Sequence, residues 1–278
     1  MAAFAQGFLL DTGSPDRLQT DALRAEFLRL GSPEVEVVVH SRVDSTNALA
    51  QRMAAEGQGP WALIASEEQS AGRGRRGRQW DSGRAGDLYL TLLAPLPFPA
   101  ALRPWVPLVA GLGAWEVLRE AGAGVVLKWP NDLLGDDGAK LGGILVENAS
   151  CPPGPGALAV GVGINVNSLS LPENATSLAR MTGRRWNRNS LSGAIASRII
   201  QWLACLAREG PQKVREAWTR ACPWLGEAVV VLTEGGSVEG RFVGLDESGR
   251  MVLDTGAHGL EAFSAGDVSL RRLWGASH

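Results

Sequence analysis

The sequence predicts an α+β protein in two parts: a unit of mixed strands and helices, then a small unit of strands alone. Three observations carry this expectation. Apolar strand-like runs alternate with helix-period segments from residue 36 to about residue 220. From about residue 226 the texture changes to short alternating runs broken every few residues by Gly, Asp or Ser, the pattern of a small antiparallel barrel. The 278 residues, 45% hydrophobic and 20% charged, suffice for one large domain and a small one. The boundary falls near Pro223 to Gly226, which divides the chain into 1–33, 34–224 and 225–278.

Residues 1–33 read as an irregular start and one helix within "DRLQTDALRAEFLRL", where Leu23, Phe27 and Leu30 recur at helical spacing. That is too short for a winged-helix DNA-binding domain. "EVEVVVHSRV" reads as a strand, and "DSTNALAQRMAAEG" as a capped helix ending at Gly57. "WALIASEEQ" is a strand leading into an Arg-Gly loop, and "DLYLTLLAPL" is the strand that leaves it. Residues 104–121 are helical, with Trp105, Leu108, Leu112, Trp115 and Leu118 on one face. "GVVLKWPNDLL" and "AKLGGILVENAS" are expected to pair around a turn at "GDDG". "GPGALAVGVGINVN" is a strand running into a Gly-rich bend. Helices over 189–209 and 211–220 complete the first unit.

A formal net charge of -2 gives no whole-chain attraction to nucleic acid or to a membrane surface. Cys151, Cys205 and Cys222 match neither a metal spacing nor an even disulfide set, and read as reduced thiols of a cytoplasmic protein. The first sixteen residues lack a basic region and a long apolar core, so no signal peptide is expected. No run of about 18 apolar residues suggests a membrane span.

The loop "GRGRRGR", 72–78, places four arginines among three glycines. Three readings compete. Gly72-x-Gly74-x-x-Gly77 matches a dinucleotide fingerprint, but that needs a helix immediately afterwards, and "RQWDSG" starts helices poorly. Arg-Gly mixtures also bind phosphate backbones, although this loop is internal and no second basic face accompanies it. The third reading is a lid over an anionic ligand. Glycines bring backbone N–H groups close to an anion, and arginines add charge-assisted hydrogen bonds. The four cations repel by about a few tenths to one kcal/mol per exposed pair, so such a loop is expected to be mobile when empty and ordered by its anion.

Three further stretches bear on the choice. In "VDSTN", Asp44 to Asn47 cluster at a helix start, where an ordinary N-cap is the simplest account. In "KWPNDLLGDDGAKLGGILVEN", Lys128, Asn131 and Asp132 surround a stiffening Pro130, Lys140 follows a turn, and Gly142 and Gly143 interrupt a strand. Two strand glycines cost stability, so something is expected to approach the backbone there. In "GVGINVN", glycines end a strand with Asn165 beyond them.

Together "DSTN", "EQSAGRGRRGRQW", "KWPND", "KLGGILVE" and "GVGINVN", in this order, resemble the biotin protein ligases, also called biotin–acetyl-CoA-carboxylase ligases. The resemblance covers roughly residues 36 to 272 and includes the C-terminal unit, where "GDVSLRR" looks like the family's end. It implies a mixed β-sheet packed with helices, related to the class II aminoacyl-tRNA synthetase catalytic fold, and an SH3-like C-terminal barrel. It looks like the monofunctional form, without the DNA-binding repressor domain. It implies a ligase that makes biotinyl-5′-AMP and pyrophosphate from biotin and ATP with Mg²⁺. The biotin then passes to one lysine of a biotin carboxyl carrier domain, by an enzyme that is a monomer or a homodimer.

The resemblance assigns residues as follows. Ser45, Thr46, Asn47 and Gln69 fall at biotin-contacting positions, with Gly142 and Gly143 beside them. Gly72, Arg73, Gly74, Arg75 and Arg76 form the ligand loop, Arg73 and Arg75 matching residues at the biotin carboxylate and the phosphates. Lys140 matches a lysine that contacts the carboxylate and α-phosphate. Lys128, Asn131 and Asp132 match the nucleotide and metal end, where Asp132 is expected near Mg²⁺. Because the second step needs a neutral amine, Asp132 is also expected, on chemical grounds, to orient or deprotonate the acceptor lysine. Gly161, Gly163 and Asn165 match the adenylate-binding bend. Lys140, Arg75 and Asp132 are the expected catalytic trio. A lipoate ligase would share the fold and the adenylation step, but its plain acyl pocket leaves "DSTN" without a role.

Overall fold

A computed structural model of the chain describes residues 7–10, 16–32, 34–57, 61–95, 99–154, 156–233, 236–256, 258–265 and 269–272. The apolar runs pair into two sheets. β1 (Glu36–Val43) and β2 (Ala62–Gln69) run parallel, and the helix α2 (Thr46–Ala55) makes the crossover that a parallel pair requires. β3 (Leu88–Pro95) lies antiparallel to β2, and β7 (Ala157–Ile164) antiparallel to β3. β6 (Lys140–Ala149), β5 (Asp132–Gly135) and β4 (Val125–Lys128) extend the sheet by antiparallel pairing, giving the order β1-β2-β3-β7-β6-β5-β4. The sheet is therefore mixed. The stretch "GVVLKWPNDLL", expected as one strand, is two: β4 and β5 form a tight hairpin around residues 129–131, and the "GDDG" turn joins β5 to β6.

Alternation along each strand divides the side chains between two faces. On one face Leu63, Leu90, Leu92, Val160 and Ile164 join the main core with α1 (Thr20–Arg29), α3 (Val106–Glu120), the short α4 (Leu178–Thr182), α5 (Arg188–Glu209) and α6 (Gln212–Ala221). α3 and α5 cross closely at Gly113, where an added Cβ would sit 2.9 Å from Ile199 Cγ1. α5 is long and apolar enough to cross a membrane by length and composition alone, but most of it is buried in this core. On the other face α2 packs through small residues, Ala50 and Ala54 meeting Ala62, Ile64, Leu93, Ala157 and Ala159. Helix starts shift slightly from the expected bounds. α1 begins at Thr20, α2 at Thr46, and a 3-10 turn (Ala100–Trp105) precedes α3.

The second sheet is antiparallel: β8 (Ala228–Thr233), β9 (Gly236–Leu245), β10 (Met251–Asp254), β11 (Leu260–Phe263) and β12 (Ser269–Arg272), in the order β11-β10-β9-β8-β12. Among the described residues no β11–β12 pairing closes it, so it is an open sheet where a barrel is expected. Its buried residues Val229, Val231, Phe242, Met251 and Leu253 are continuous with the main core. Its β9–β10 turn is held by two indoles: Trp105 Nε1 donates to Glu247 O at 3.1 Å and Trp129 Nε1 to Gly249 O at 3.3 Å.

The N-terminal segment is bound to the core by a buried ion cluster. Arg188, fully buried at the start of α5, donates from Nε to Asp16 Oδ1 at 2.7 Å, and its Nη1 lies 2.7 Å from Glu67 Oε2. Burial opposes the guanidinium charge, but Glu67 and Asp16 more than offset it and hold its pKa above the usual range. Asp16 also accepts from Asn167 Nδ2 at 2.7 Å, and Phe8 O accepts from Asn187 N. Breaking a buried pair from one side leaves an uncompensated charge, at about 3–5 kcal/mol. Asp16→Asn is expected to lower unfolding stability by about 3 kcal/mol in urea titrations. A loss under ~1 kcal/mol would show the cluster to be incidental.

Candidate active site

On the α2 face of the sheet, residues 157, 159, 161 and 163 of β7 read Ala, Ala, Gly, Gly. The alanines receive α2. The glycines leave the sheet bare, and a cavity of about 260 Å³ opens over them. Cross-strand register places Tyr89, Gly163, Gly143, Asp132 and Lys128 in one transverse row of its floor. Thr91, Gly161 and Leu145 form the next row.

One end of the cavity is lined by neutral polar side chains. Ser45 occupies the N-cap of α2 but makes no side-chain cap, so the simple capping account of "DSTN" fails. The backbone N of Thr46 instead donates to Gln69 Oε1 at 2.8 Å. Asn47 Nδ2 donates to Leu145 O at 3.1 Å and to Glu147 Oε2 at 2.8 Å. Thr91 Oγ1 donates to Asn47 Oδ1 at 2.6 Å, which fixes the orientation of that amide, and lies 2.9 Å from Thr46 Oγ1. Gln69 Nε2 donates to Ser82 Oγ at 3.2 Å. Asp44 turns away to Arg52, whose hydrogen bonds pull its carboxyl down to about 2. Burial and the nearby Asp87 push the Tyr89 phenol up, so it remains a neutral hydroxyl on the floor.

The other end is charged. Asp132 stands between two lysines, Lys140 Nζ at 2.7 Å and Lys128 Nζ at 4.0 Å. Lys140 also lies 5.6 Å from the Trp80 ring centroid, and Lys128 5.6 Å from that of Trp224. Arg75 Nη1 reaches in from the loop to Asn131 Oδ1 at 3.0 Å, and Asn131 Nδ2 is tied to Ile144 O at 2.7 Å. Burial lowers the Arg75 pKa, Asp132 opposes that fall, and Arg76 and Arg78 add to it. Arg75 stays a cation at neutral pH.

The Arg-Gly loop is a folded hairpin. Gly74 N donates to Arg78 O at 2.7 Å and Trp80 N to Gly72 O at 3.0 Å. Its tip is a three-residue 3-10 turn (Arg75–Gly77) with Arg76 in the left-handed region at φ 58°. Among the described residues no α-helix follows Gly77 immediately; the next regular element is β3, which overturns the dinucleotide fingerprint. Arg73 and Arg75 bond inward, to Glu147 and Asn131, and of the four only Arg75 is half-buried.

Ser45, Thr46, Asn47, Gln69, Arg73, Gly74, Arg75, Arg76, Lys128, Asn131, Asp132, Lys140, Gly143, Gly161 and Gly163 all line this cavity. Gly72, Gly142 and Asn165 do not. Gly72 is packed against Ser82 and Trp80, and a Cβ on Gly142 would meet Gly163 O at 2.6 Å. The approach expected at the paired glycines of β6 is thus, at Gly142, the neighbouring strand. Asn165 is buried and donates to Thr176 O at 2.9 Å. Sequence reasoning missed Thr91 and Glu147, which orient Asn47 without lining the cavity. Thr91 had a signal, since it is the only polar residue within the apolar run of β3.

Two family models match the chain: the "Biotin/lipoate A/B protein ligase family" over residues 39–167 and the "Biotin protein ligase C terminal domain" over residues 224–271. The biotin--[acetyl-CoA-carboxylase] ligase of Paracoccus denitrificans is 34% identical over 238 residues, 82% of this chain and 98% of that protein. The bifunctional ligase/repressor BirA of Escherichia coli is 31% identical over 240 residues, 84% of this chain and 74% of that protein. A biotin protein ligase from Aquifex aeolicus, solved in complex with biotin and ATP, superposes with a TM-score of 0.73 at 31% identity, covering 85% of this chain and 99% of that one.

The bare floor has a direct test in stability. A Cβ on Gly161 would fall 2.4 Å from Asn47 Oδ1 and 3.0 Å from Leu145 O, whereas one on Gly143 would meet nothing nearer than 3.7 Å. Gly161→Ala is expected to cost about 1–3 kcal/mol by overpacking, and Gly143→Ala well under ~1 kcal/mol. Equal losses in denaturant titrations of the two variants would contradict this geometry.

Proposed function

This chain belongs to the biotin protein ligase family, and we propose that the cavity on its seven-stranded sheet is where biotin is joined to ATP. The chain is an ATP-dependent biotin ligase. Its first step gives biotinyl-5′-AMP and pyrophosphate, and its second passes biotin to a lysine of a biotin carboxyl carrier domain. One observation supports the assignment above others: a single cavity has a neutral amide–hydroxyl end and a cationic end. The ureido ring of biotin, a neutral donor and acceptor, suits Ser45, Thr46, Asn47 and Gln69. A lipoyl chain has no group that would use them.

In the first step a biotin carboxylate oxygen attacks the α-phosphorus, and the bond to the β-bridging oxygen breaks as pyrophosphate leaves. Both reactants are anions. Lys140, Arg73 and Arg75 offset their repulsion, and more strongly as charge develops in the transition state. Among the described residues no group of three or more His, Cys, Asp or Glu is placed to hold a metal, and Asp132 is the one acidic residue lining the cavity. That donor set fits a Mg²⁺ that enters with ATP, held mainly by phosphates and water, with Asp132 its protein ligand. The ion would lower the charge of the phosphates.

In the second step the carrier lysine must present a neutral amine, although a free lysine has a pKa of about 10.4. Asp132 is the group we assign to orient or deprotonate it. AMP leaves as the new amide bond forms. The folded loop retains the reactive mixed anhydride by excluding water. We take residues 34–224 as the catalytic unit and 225–278 as an SH3-like unit. We take the carrier to belong to an acetyl-CoA carboxylase, as the name of the Paracoccus relative implies for that protein.

Lys140→Ala is expected to reduce biotin-dependent exchange of labelled pyrophosphate into ATP by about two to three decades. Exchange at the wild-type rate would remove Lys140 from the chemistry, and exchange supported by lipoate in place of biotin would reverse the substrate assignment. Asp132→Ala is expected to slow transfer from preformed biotinyl-5′-AMP to a carrier domain. Normal transfer would leave Asp132 only a nucleotide role.

A further inference from the structure

Thr91 is a polar residue in the apolar run of β3, fully buried beneath the neutral end of the cavity and not part of its wall. Its Oγ1 lies 2.6 Å from Asn47 Oδ1 and 2.9 Å from Thr46 Oγ1. A hydroxyl has one proton, so these two contacts cannot both be donations from Thr91. The surroundings decide between them. Asn47 Nδ2 points at Leu145 O, which can only accept, and this turns Oδ1 of the same amide towards Thr91. Oδ1 has no proton to give, so the Thr91 proton goes to it and the Thr91 oxygen is left to accept from Thr46. The other neighbour of the Thr46 hydroxyl is Gln69 Oε1 at 3.2 Å, which already accepts from Thr46 N at 2.8 Å and is also an acceptor only. The Thr46 proton is therefore committed to the protein, and its shorter contact is Thr91. What Thr46 has left for the cavity it lines is a lone pair.

We propose that Thr91 is a positioning residue for specificity: it holds Thr46 Oγ1 as a hydrogen-bond acceptor, so that the neutral end selects a ligand bringing an N–H donor to that point. This rests on the reading of Thr46 as a biotin contact. A free threonine hydroxyl turns to donate or to accept as its ligand requires. Thr91 removes that choice, because it takes the proton through a chain of bonds anchored on Leu145 O. A ring N–H of a ureido group satisfies the remaining lone pair. A ligand with an ether oxygen there brings a second acceptor, and both oxygens then stay unpaired in a buried site, which is how a site built around a hydrogen bond rejects the analogue lacking it. β3 carries Thr91 and α2 carries Thr46, so the polarity of the recognition group is set by where the helix crosses the sheet.

The test is a double-mutant cycle on the full chain, read as the Kd of biotin by titration calorimetry. Thr91→Val keeps the shape of the side chain and removes its hydroxyl. Alone it is expected to weaken biotin about tenfold. In a Thr46→Val background, where no acceptor remains to be held, the same change should weaken biotin by less than about twofold. Thr91→Ser restores the hydroxyl and should restore the affinity. Polarity is read with the two cyclic-carbamate analogues of biotin, each with one ring N–H replaced by oxygen. Wild type is expected to discriminate against one of them about a hundredfold, and Thr91→Val about tenfold. If Thr91→Val does not fold, Thr91→Ala, which leaves room for a water beside Asn47 Oδ1, takes its place in the cycle. Wild-type affinity in Thr91→Val, or an equal loss in both backgrounds, would overturn the proposal. So would discrimination unchanged by the substitution, or a KM for ATP in pyrophosphate exchange that rises as much as the Kd of biotin, which would make Thr91 a general brace of the sheet. If Thr46→Val alone binds biotin normally, the reading of Thr46 as a biotin contact fails, a result separable from the others.

Discussion

The organising constraint is the loss of side chains along one face of β7. Alternation commits residues 157, 159, 161 and 163 to that face, and their size falls from alanine to nothing. The alanine half seats α2 closely enough for its first turn to bring Ser45, Thr46 and Asn47 over the sheet. The glycine half lets Asn47 and the Trp80 ring descend to the backbone, 2.4 Å and 3.0 Å from where the missing Cβ atoms of Gly161 and Gly163 would be. A side chain at Gly161 would displace Asn47 from its bond with Thr91, and one at Gly163 would displace the Trp80 ring.

The charges follow from the neighbouring hairpin. The tight β4–β5 turn brings Lys128 and Asp132 opposite each other, and the β5–β6 pairing adds Lys140 across the same carboxylate. Arg75 arrives from a loop distant in sequence and is held by Asn131 in that turn. Left alone, these cations would repel one another. Asp132 supplies counter-charge to Lys128 and Lys140, and Glu147 to Arg73. The hairpin is braced from behind by Trp129, whose indole bonds to the β9–β10 turn. This ties the C-terminal sheet to the charged end of the cavity.

Much of this was legible in the sequence. Strand and helix periods located nearly every element, and local clusters such as "DSTN" and "KWPND" marked most of the cavity wall. What was not legible depended on register. No local pattern shows that Thr91 of β3 and Glu147 of β6 converge on Asn47 of α2, because those contacts are set by the pairing of β3 and β6 with β7. The same holds for Gly142 and Asn165, which the family resemblance placed at ligand contacts but whose partners are Gly163 and Thr176. The division of "GVVLKWPNDLL" was concealed because its halves are each only four residues long. The N-terminal segment had no apparent role, since its attachment depends on Asp16 meeting Arg188 across 172 residues.

The most direct test of the account is whether the cavity completes both half-reactions. The purified chain would be incubated with biotin, ATP, Mg²⁺ and the biotin carboxyl carrier domain of an acetyl-CoA carboxylase, and the carrier analysed by intact-mass and peptide mass spectrometry. The account predicts one biotinyl group on one carrier lysine, dependent on ATP and lost with Lys140→Ala. An unmodified carrier, with folded enzyme and ATP present, would contradict it.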